Sequence, residues 1–417
     1  MAHEKLSAGC CIVGGGPAGM MLGFLLARAG VDVLVLEKHA DFLRDFRGDT
    51  IHPSTMEYFY ELGMLDCFLA QPHQEVSRLG ASIGGELYYV ADFSHLPVHS
   101  QFVAFMPQWH FLNFLAAEAK RYPNFRLMME TQATDILWDG HRIAGIKARR
   151  GEDKLDIRAD LVVGADGRHS VVRKAAGFQV DDIGAPMDVL WMRLPKKPGE
   201  AQESLGVIGA GTFFVMIDRG DYWQCGYVIP KGGYDALHAK GIAALRESIV
   251  ALKPDLADRV NVLASWDDVS LLTVKVDRLQ RWFRPGLLCI GDAAHAMSPI
   301  GGVGINLAVQ DAVATANILA EPLRSGPVAT RLLEKLQQRR EVPAKRTQKL
   351  QVLIQNKVIT PLLERKTAPK APFALKLLQW VPPLQRIPAR IIGLGFRPEH
   401  IRTREALPIK QNGGKVA

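Results

Sequence analysis

Cys10-Cys11-Ile12-Val13-Gly14-Gly15-Gly16-Pro17-Ala18-Gly19 is the stretch that decides the fold of this chain. Its apolar start predicts a short buried strand, and the glycine run leads into an apolar helical pattern through Leu22, Leu25, Leu26 and Ala29. Gly30 stops that helix, and Val31 to Leu36 forms a second apolar strand ending at Glu37. Gly14, Gly16 and Gly19 thus occupy the turn of a βαβ unit with G-x-G-x-x-G spacing. Glycines there permit the tight turn, let the backbone approach a pyrophosphate and allow helix to pack on strand. The helix N-terminus supplies N–H groups and a partial positive charge. Glu37, 18 residues after Gly19, is placed to accept a hydrogen bond from a ribose hydroxyl. Together these features predict a bound dinucleotide.

Two later segments repeat the pattern of a strand end carrying an acid. Leu161-Val162-Val163-Gly164-Ala165-Asp166-Gly167 runs into a helix with Ser170 and Arg173, and Asp166 can equally be the cap of that helix. Gly286 to Ile290 is a further strand, followed by Gly291-Asp292 and by Pro299-Ile300-Gly301-Gly302-Val303-Gly304-Ile305-Asn306 before the helical run Ala308 to Leu319. Glycines before a helix let a flat ligand approach backbone amides. Asp292 has the reach of a sugar or ribityl hydroxyl, and His295 is open to a plain packing role in the turn. One binding domain assembled from separated segments explains all three motifs. It takes residues 1–75, 106–180 and 278–325, and is α/β with a Rossmann-like sheet. Residues 76–105 and 181–277 form an inserted substrate domain, because Phe213 to Ile217 and Tyr222 to Ile229 around Asp-Arg-Gly-Asp predict a hairpin in a mainly antiparallel sheet. Residues 326–417 form a basic, mostly helical region. Trp191, Phe213, Phe214, Tyr222, Trp223 and Tyr227 line either the core or the pocket of the inserted sheet.

Composition narrows the class. The chain has 417 residues, 48% hydrophobic and 23% charged, which fits a multi-domain globular protein. Arg28, Arg281 and Lys376 interrupt the longest apolar runs before they reach a membrane span. Five scattered cysteines without metal-ligand spacing predict buried free thiols and no metal site. With an N-terminus that lacks a signal-peptide pattern, they predict a cytoplasmic protein.

In these motifs the sequence resembles the class A FAD-dependent monooxygenases, the aromatic hydroxylases typified by p-hydroxybenzoate hydroxylase, over roughly residues 8–325. The resemblance implies that Gly14, Gly16, Pro17, Ala18, Gly19, Glu37 and Lys38 bind the ADP half of FAD. Asp166 and Gly167 would serve FAD and NAD(P)H, with His169 and Arg173 as nicotinamide-cofactor candidates. Gly291, Asp292, Pro299, Gly301, Gly302, Val303, Gly304, Ile305 and Asn306 would hold the ribityl chain and isoalloxazine, with Pro299, Gly301 and Gly302 beside the ring. Arg47, before a helix that Ser54 and Glu57 could cap, and Gln108 are placed like two further flavin contacts. The implied chemistry is NAD(P)H reduction of bound FAD, addition of O2 to give a C4a-hydroperoxide, and hydroxylation of an aromatic or quinone-like molecule. No second Rossmann motif is present, so NADH or NADPH is expected to be transient. Catalytic side chains are not assigned; Tyr222 and His52 are candidates for deprotonating a phenol. A FAD-linked desaturase or reductase shares the same motifs. A halogenase is a further alternative, since Trp223 to Pro230 is similar to Trp-x-Trp-x-Ile-Pro but lacks the second Trp. A FAD-binding scaffold without turnover completes the set.

The basic charge is concentrated at one end. Residues 331–417 carry 19 Lys/Arg against 5 Glu and no Asp. Leu350, Leu353, Ile354, Val358 and Leu362 recur at roughly helical spacing between Lys345, Arg346, Lys349, Lys357, Arg365 and Lys366. Residues 344–396 therefore either pack over the FAD domain or a homodimer partner, or lie on an anionic membrane surface. Nucleic acid is not expected, because no aromatic-and-basic binding motif accompanies the charge.

Overall fold

The computed structural model describes residues 3–43, 50–200, 205–365, 367 and 369–406. Arg47 and Lys366 lie outside these described residues.

The expected α/β architecture is present. Phe125–Met128, Val33–Leu36, His3–Val13, Asp153–Gly164 and Leu287–Cys289 run parallel and adjacent, and Phe283–Arg284 adds an antiparallel edge. Cys10 and Ile12 face one core with the helices Pro17–Arg28 and Gly304–Arg324. Cys11 and Val13 face a second core with Ile136, Ile143, Ile146 and Val172. A strand buried on both faces needs an unbroken apolar run, and this one has it. The helical stretch Ile300–Arg324 is long and apolar enough to cross a membrane, but 83% of its most apolar window is buried, so it is the central core helix.

The second sheet has the order Ser270–Leu272, Met187–Pro195, Tyr222–Pro230, Thr212–Asp218, Leu205–Gly209, Arg78–Ile83, Glu86–Asp92. All its pairs are antiparallel except Leu205–Gly209 with Arg78–Ile83. Side-chain alternation sorts its aromatics. Phe214, Trp223 and Tyr227 join Leu190, Met192 and Cys225 in a core covered by Leu245 and Ile249 of the helix Ile242–Leu252. Trp191 and Phe213 point the other way, into the same apolar cluster as Ile300 of the glycine loop.

The helix Thr330–Ile354 packs against Gly304–Arg324, and its buried face differs from the expected apolar one. Thr347, Gln348 and Gln351, followed by Gln355, are buried, whereas Leu353 is 55% exposed and Val358 47%. Backbone groups of residues 296–300 need partners there, so amide side chains face inward. Beyond two short helices, Phe373–Trp380 and Arg386–Gly393, the chain returns to the first domain. Glu399 pairs with Arg339, Glu405 accepts from the Tyr122 hydroxyl, and the Ala406 amide bonds to the carbonyl of Arg28. The helix Thr330–Ile354 and the last residues thus pack on the first sheet's domain, whereas Phe373–Trp380 and Arg386–Gly393 pack on the strand Glu86–Asp92 of the second sheet.

Candidate active site: a glycine-lined cofactor cradle

The three motif glycines separate by what surrounds them. A Cβ on Gly14, whose φ is +107°, would lie 2.4 Å from the Ala165 carbonyl oxygen, and one on Gly19 1.9 Å from the Gly14 oxygen. These two close the turn and seat the helix on the strand. Gly16 has nothing within 4 Å of an added Cβ and stands at the N-cap of Pro17–Arg28. Its open face is where the backbone presents amides to a ligand. The Glu37 carboxylate accepts from the amides of Gly15 and His39, both at 3.0 Å, so the acid holds the glycine loop at the end of the second strand. Lys38 beside it is exposed.

Contacts between loops bring the separated motifs together. Gly14 abuts Ala165 and Asp166, and an added Cβ on Gly291 would meet the Ala18 Cβ at 3.2 Å. Asp292 faces Arg168 across 3.4 Å, and both side chains are about one-third exposed, 31% and 29%. Asp166 instead turns inward. It accepts from the Ser170 hydroxyl at 2.5 Å and the Val171 amide at 2.7 Å, and thereby holds the N-cap Ser170, whose hydroxyl accepts from the Arg173 amide, at the start of the helix Val171–Ala175. Burial raises its carboxyl above the usual range against the pull of those donors. Gly167, at φ +79°, has an open face, and His169 is exposed. Arg173 departs from its expected nicotinamide contact: the guanidinium is buried and forks onto Asp277 at 3.1 and 3.3 Å. A group paired inside the fold does not reach a transient cofactor.

The loop Pro299 to Asn306 is held from every side. Gly301 and Gly302 have φ of +76° and +62°, a left-handed pair that only glycine adopts freely. A Cβ on Gly302 would meet the Thr50 Oγ1 at 2.7 Å, while Gly304, first residue of Gly304–Arg324, faces open space. Val303 is half-buried and Ile305 buried. Asn306 accepts from Ser54 and Thr55 at 2.7 and 2.8 Å. Ser54 therefore does not cap its helix as expected; Pro53 takes the first helical position and His52 precedes it. Gln351 donates to the carbonyls of Ser298 and Ile300 and accepts from the Ser298 amide, while Gln348 holds Ala296.

Two buried polar groups complete the frame. His295 has the packing role: its Nε2 meets Asp311 at 2.6 Å, and Asp311 also accepts from the Gly291 amide and from Arg340. Burial pushes the Asp311 carboxyl up, but His295 and Arg340 outweigh it and hold it below the usual range. Arg340, fully buried, also bonds Gln310 and Glu399. His52 is likewise buried, its Nδ1 donating to the Ile392 carbonyl at 2.7 Å, and burial lowers its pKa to about 4. A neutral imidazole wedged between Ile392 and the Gly301–Gly302 backbone is a structural spacer. It is not poised as a base.

Gln108 opens the helix Gln108–Ala119 and is half-buried, and Tyr222 lies under the Arg193 guanidinium at 4.9 Å. Burial raises the thiols of Cys10, Cys11, Cys225 and Cys289 well above their ordinary range, and Cys67 is exposed. Among the described residues no cluster of His, Cys, Asp or Glu could hold a metal. The cradle suits a dinucleotide. It has two helix N-termini with open glycine faces, at Gly16 and Gly304, and a one-third exposed acid, Asp292.

Sequence comparison identifies that dinucleotide. Residues 7–350 match the family described as FAD binding domain, and the chain belongs to this family of class A flavoprotein monooxygenases. It is an FAD-dependent oxidoreductase. The chain is 35% identical over 399 residues to 6-methylpretetramide 4-monooxygenase of Streptomyces rimosus, covering 95% of this chain and 94% of that protein. It is 25% identical to digeranylgeranylglycerophospholipid reductase of Methanocella arvoryzae, over 78% of this chain and 80% of that one. Among solved structures, OxyS anhydrotetracycline hydroxylase from Streptomyces rimosus superposes with a TM-score of 0.71 at 22% identity, covering 93% of this chain and 76% of that chain.

Proposed function

We propose that the protein hydroxylates a polycyclic aromatic molecule of the aromatic polyketide type, using NADH or NADPH and O2. The observation that carries this reading is the 35% identity to a pretetramide monooxygenase, which extends through the inserted sheet as well as the cofactor motifs. FAD, when bound, supplies the redox and oxygen-transfer chemistry. The chain's own residues then bind and orient. The amides around Gly16 take the pyrophosphate, with Glu37 and Lys38 at the ADP end and Asp292, steered by Arg168, at the sugar or ribityl hydroxyls. The amides of Gly302 to Asn306, at a helix N-terminus, stabilise negative charge on the flavin ring. Trp191 and Phe213 belong to the same apolar cluster as Ile300 and would offer apolar surface to an aromatic substrate. Gly226 leaves room for the Trp191 indole, since a Cβ there would lie 3.1 Å from it.

The test is oxidation of NADH and NADPH by purified yellow holoprotein, with and without a naphthacene-type phenol, with oxygen uptake and product mass recorded. Stimulated oxidation, oxygen uptake and a product heavier by one oxygen atom support the hydroxylase. A product gaining two hydrogens without oxygen uptake would establish a reductase instead. Halide-dependent turnover would point to a halogenase, and retained FAD with no turnover on any ring to a scaffold.

A further inference from the structure

The helix Phe373–Trp380, of sequence FALKLLQW, is apolar around most of its circumference, yet none of its residues is fully buried. Phe373 and Trp380 are each 68% exposed and stack edge-on at 6.1 Å. Val381 follows at 41% exposure, and Ile387 of the next helix, Arg386–Gly393, is 60% exposed. An all-round apolar helix is normally enclosed by protein or by lipid. This one is fastened to the sheet where Gln379 donates to the Tyr89 carbonyl and accepts from the Tyr89 amide on the edge strand Glu86–Asp92, and Gln385 donates to its Leu378 carbonyl. The pair of bonds to Tyr89 covers the edge and leaves the aromatic side outward.

The charge around the patch selects what covers it. Between Glu364 and Glu399 the chain carries seven Lys/Arg and no acidic residue. Lys370, Lys376, Arg386 and Arg390 are exposed within it. A two-fold contact with another copy would set these like charges against themselves. Exposed Phe, Trp and Ile among cations, on short helices, match instead an anionic lipid surface, where aromatic rings enter the interface and cations meet headgroups.

We infer that the Phe373–Trp380 and Arg386–Gly393 pair is a peripheral docking surface for anionic membranes. It narrows the contact to roughly residues 370–390, because residues 344–355 are occupied against the glycine loop. The surface is coupled to the site: Ile392, in the second helix, bonds His52 beside Gly301–Gly302. Docking there brings the cofactor domain to where a lipophilic ring system would partition.

Full-length holoprotein should pellet with phosphatidylserine–phosphatidylcholine vesicles at low salt and be released by high salt. Phosphatidylcholine vesicles should retain little. Replacing Phe373 and Trp380 together by serine should weaken binding at least tenfold without lowering the melting temperature, since both rings are exposed. Lys376→Ala and Arg390→Ala should each weaken it roughly fivefold. Failure to pellet, equal binding to neutral vesicles, or binding unchanged in the Ser and Ala variants overturns the inference. So does a dimer in sedimentation velocity that the double Ser variant dissolves, which would make a second copy the occupant. Binding is read without turnover, so its failure is distinct from failure of the proposed reaction.

Discussion

Asp166 and Asp292 end two neighbouring parallel strands in closely similar local sequence, yet their carboxylates are used differently. Asp166 spends its oxygens on Ser170, Val171 and Val172 and turns into the fold. Asp292 pairs with Arg168 and stays one-third exposed. The difference lies in who satisfies the turn. At the first strand the acid itself takes the first two amides of the following helix and holds its N-cap Ser170. At the second, the Gly291 amide is taken by Asp311, a residue 20 positions further on, and Asp292 is released toward the cradle. An acid at a strand end is available to a ligand only when another group has already satisfied the backbone around it.

Perturbing the groups that release Asp292 should give the largest effect. Arg340→Met leaves Asp311 and Glu399 buried without their shared cation and should cost about 3–5 kcal/mol in urea unfolding. A melt as stable as the parent's would mean that Asp311 does not depend on this pair. Next in size is His52, the framework histidine. Its folded pKa of about 4 lies below the ordinary imidazole value of 6.5, so the unfolded chain binds the proton more readily. Its contribution is therefore intact above about pH 6.5 and is lost as pH falls toward 4, by about 3 kcal/mol. Comparing unfolding of the parent and His52→Gln at pH 7 and at pH 4.5 should show a weaker acid sensitivity in the variant; parallel profiles would contradict it.

The third prediction separates the two acids directly. Asp292→Ala should weaken FAD binding by about 2 kcal/mol, roughly thirtyfold, with apoprotein stability unchanged. Flavin fluorescence titration and a thermal melt read the two quantities independently. Gly16→Val should lose FAD more completely, again without unfolding, because its Cβ projects into open space. The smallest effect belongs to Asp166→Ala, about 1 kcal/mol of stability from the lost bonds at the helix start. If Asp166→Ala weakens FAD as strongly as Asp292→Ala does, the contrast between them fails.

The cradle was legible because its signals are local. Gly14, Gly16 and Gly19 are specified by backbone approach within six consecutive positions, and apolar runs mark the strands that carry them. The place of Asp166 at a helix start and the packing role of His295 could also be read from adjacent residues. The supporting frame could not. Asn306 meets Ser54 and Thr55 across 252 and 251 positions, and His52 meets Ile392 across 340. Nothing in a single sequence pairs such distant polar groups. The helix Thr330–Ile354 misled for a related reason: amphipathic pattern predicts burial of Leu353, but the loop it covers exposes carbonyls, so Gln348 and Gln351 face it.

The tail that runs from Ile392 to Ala406 has a consequence for synthesis. Arg28, in the first helix, bonds the Thr403 carbonyl 375 positions later. At translation rates of about 5–20 residues per second, the first βαβ unit waits about 20–75 s for that partner. During the interval Asp311 lies in the nascent chain without Arg340, and then Arg340 without Glu399. The nucleotide loop can form early from its own glycines, but the frame behind the flavin loop locks only once the tail emerges. Slower elongation over the codons for residues 340–406 should therefore lower the yield of folded protein more than the same pause placed among the first strands.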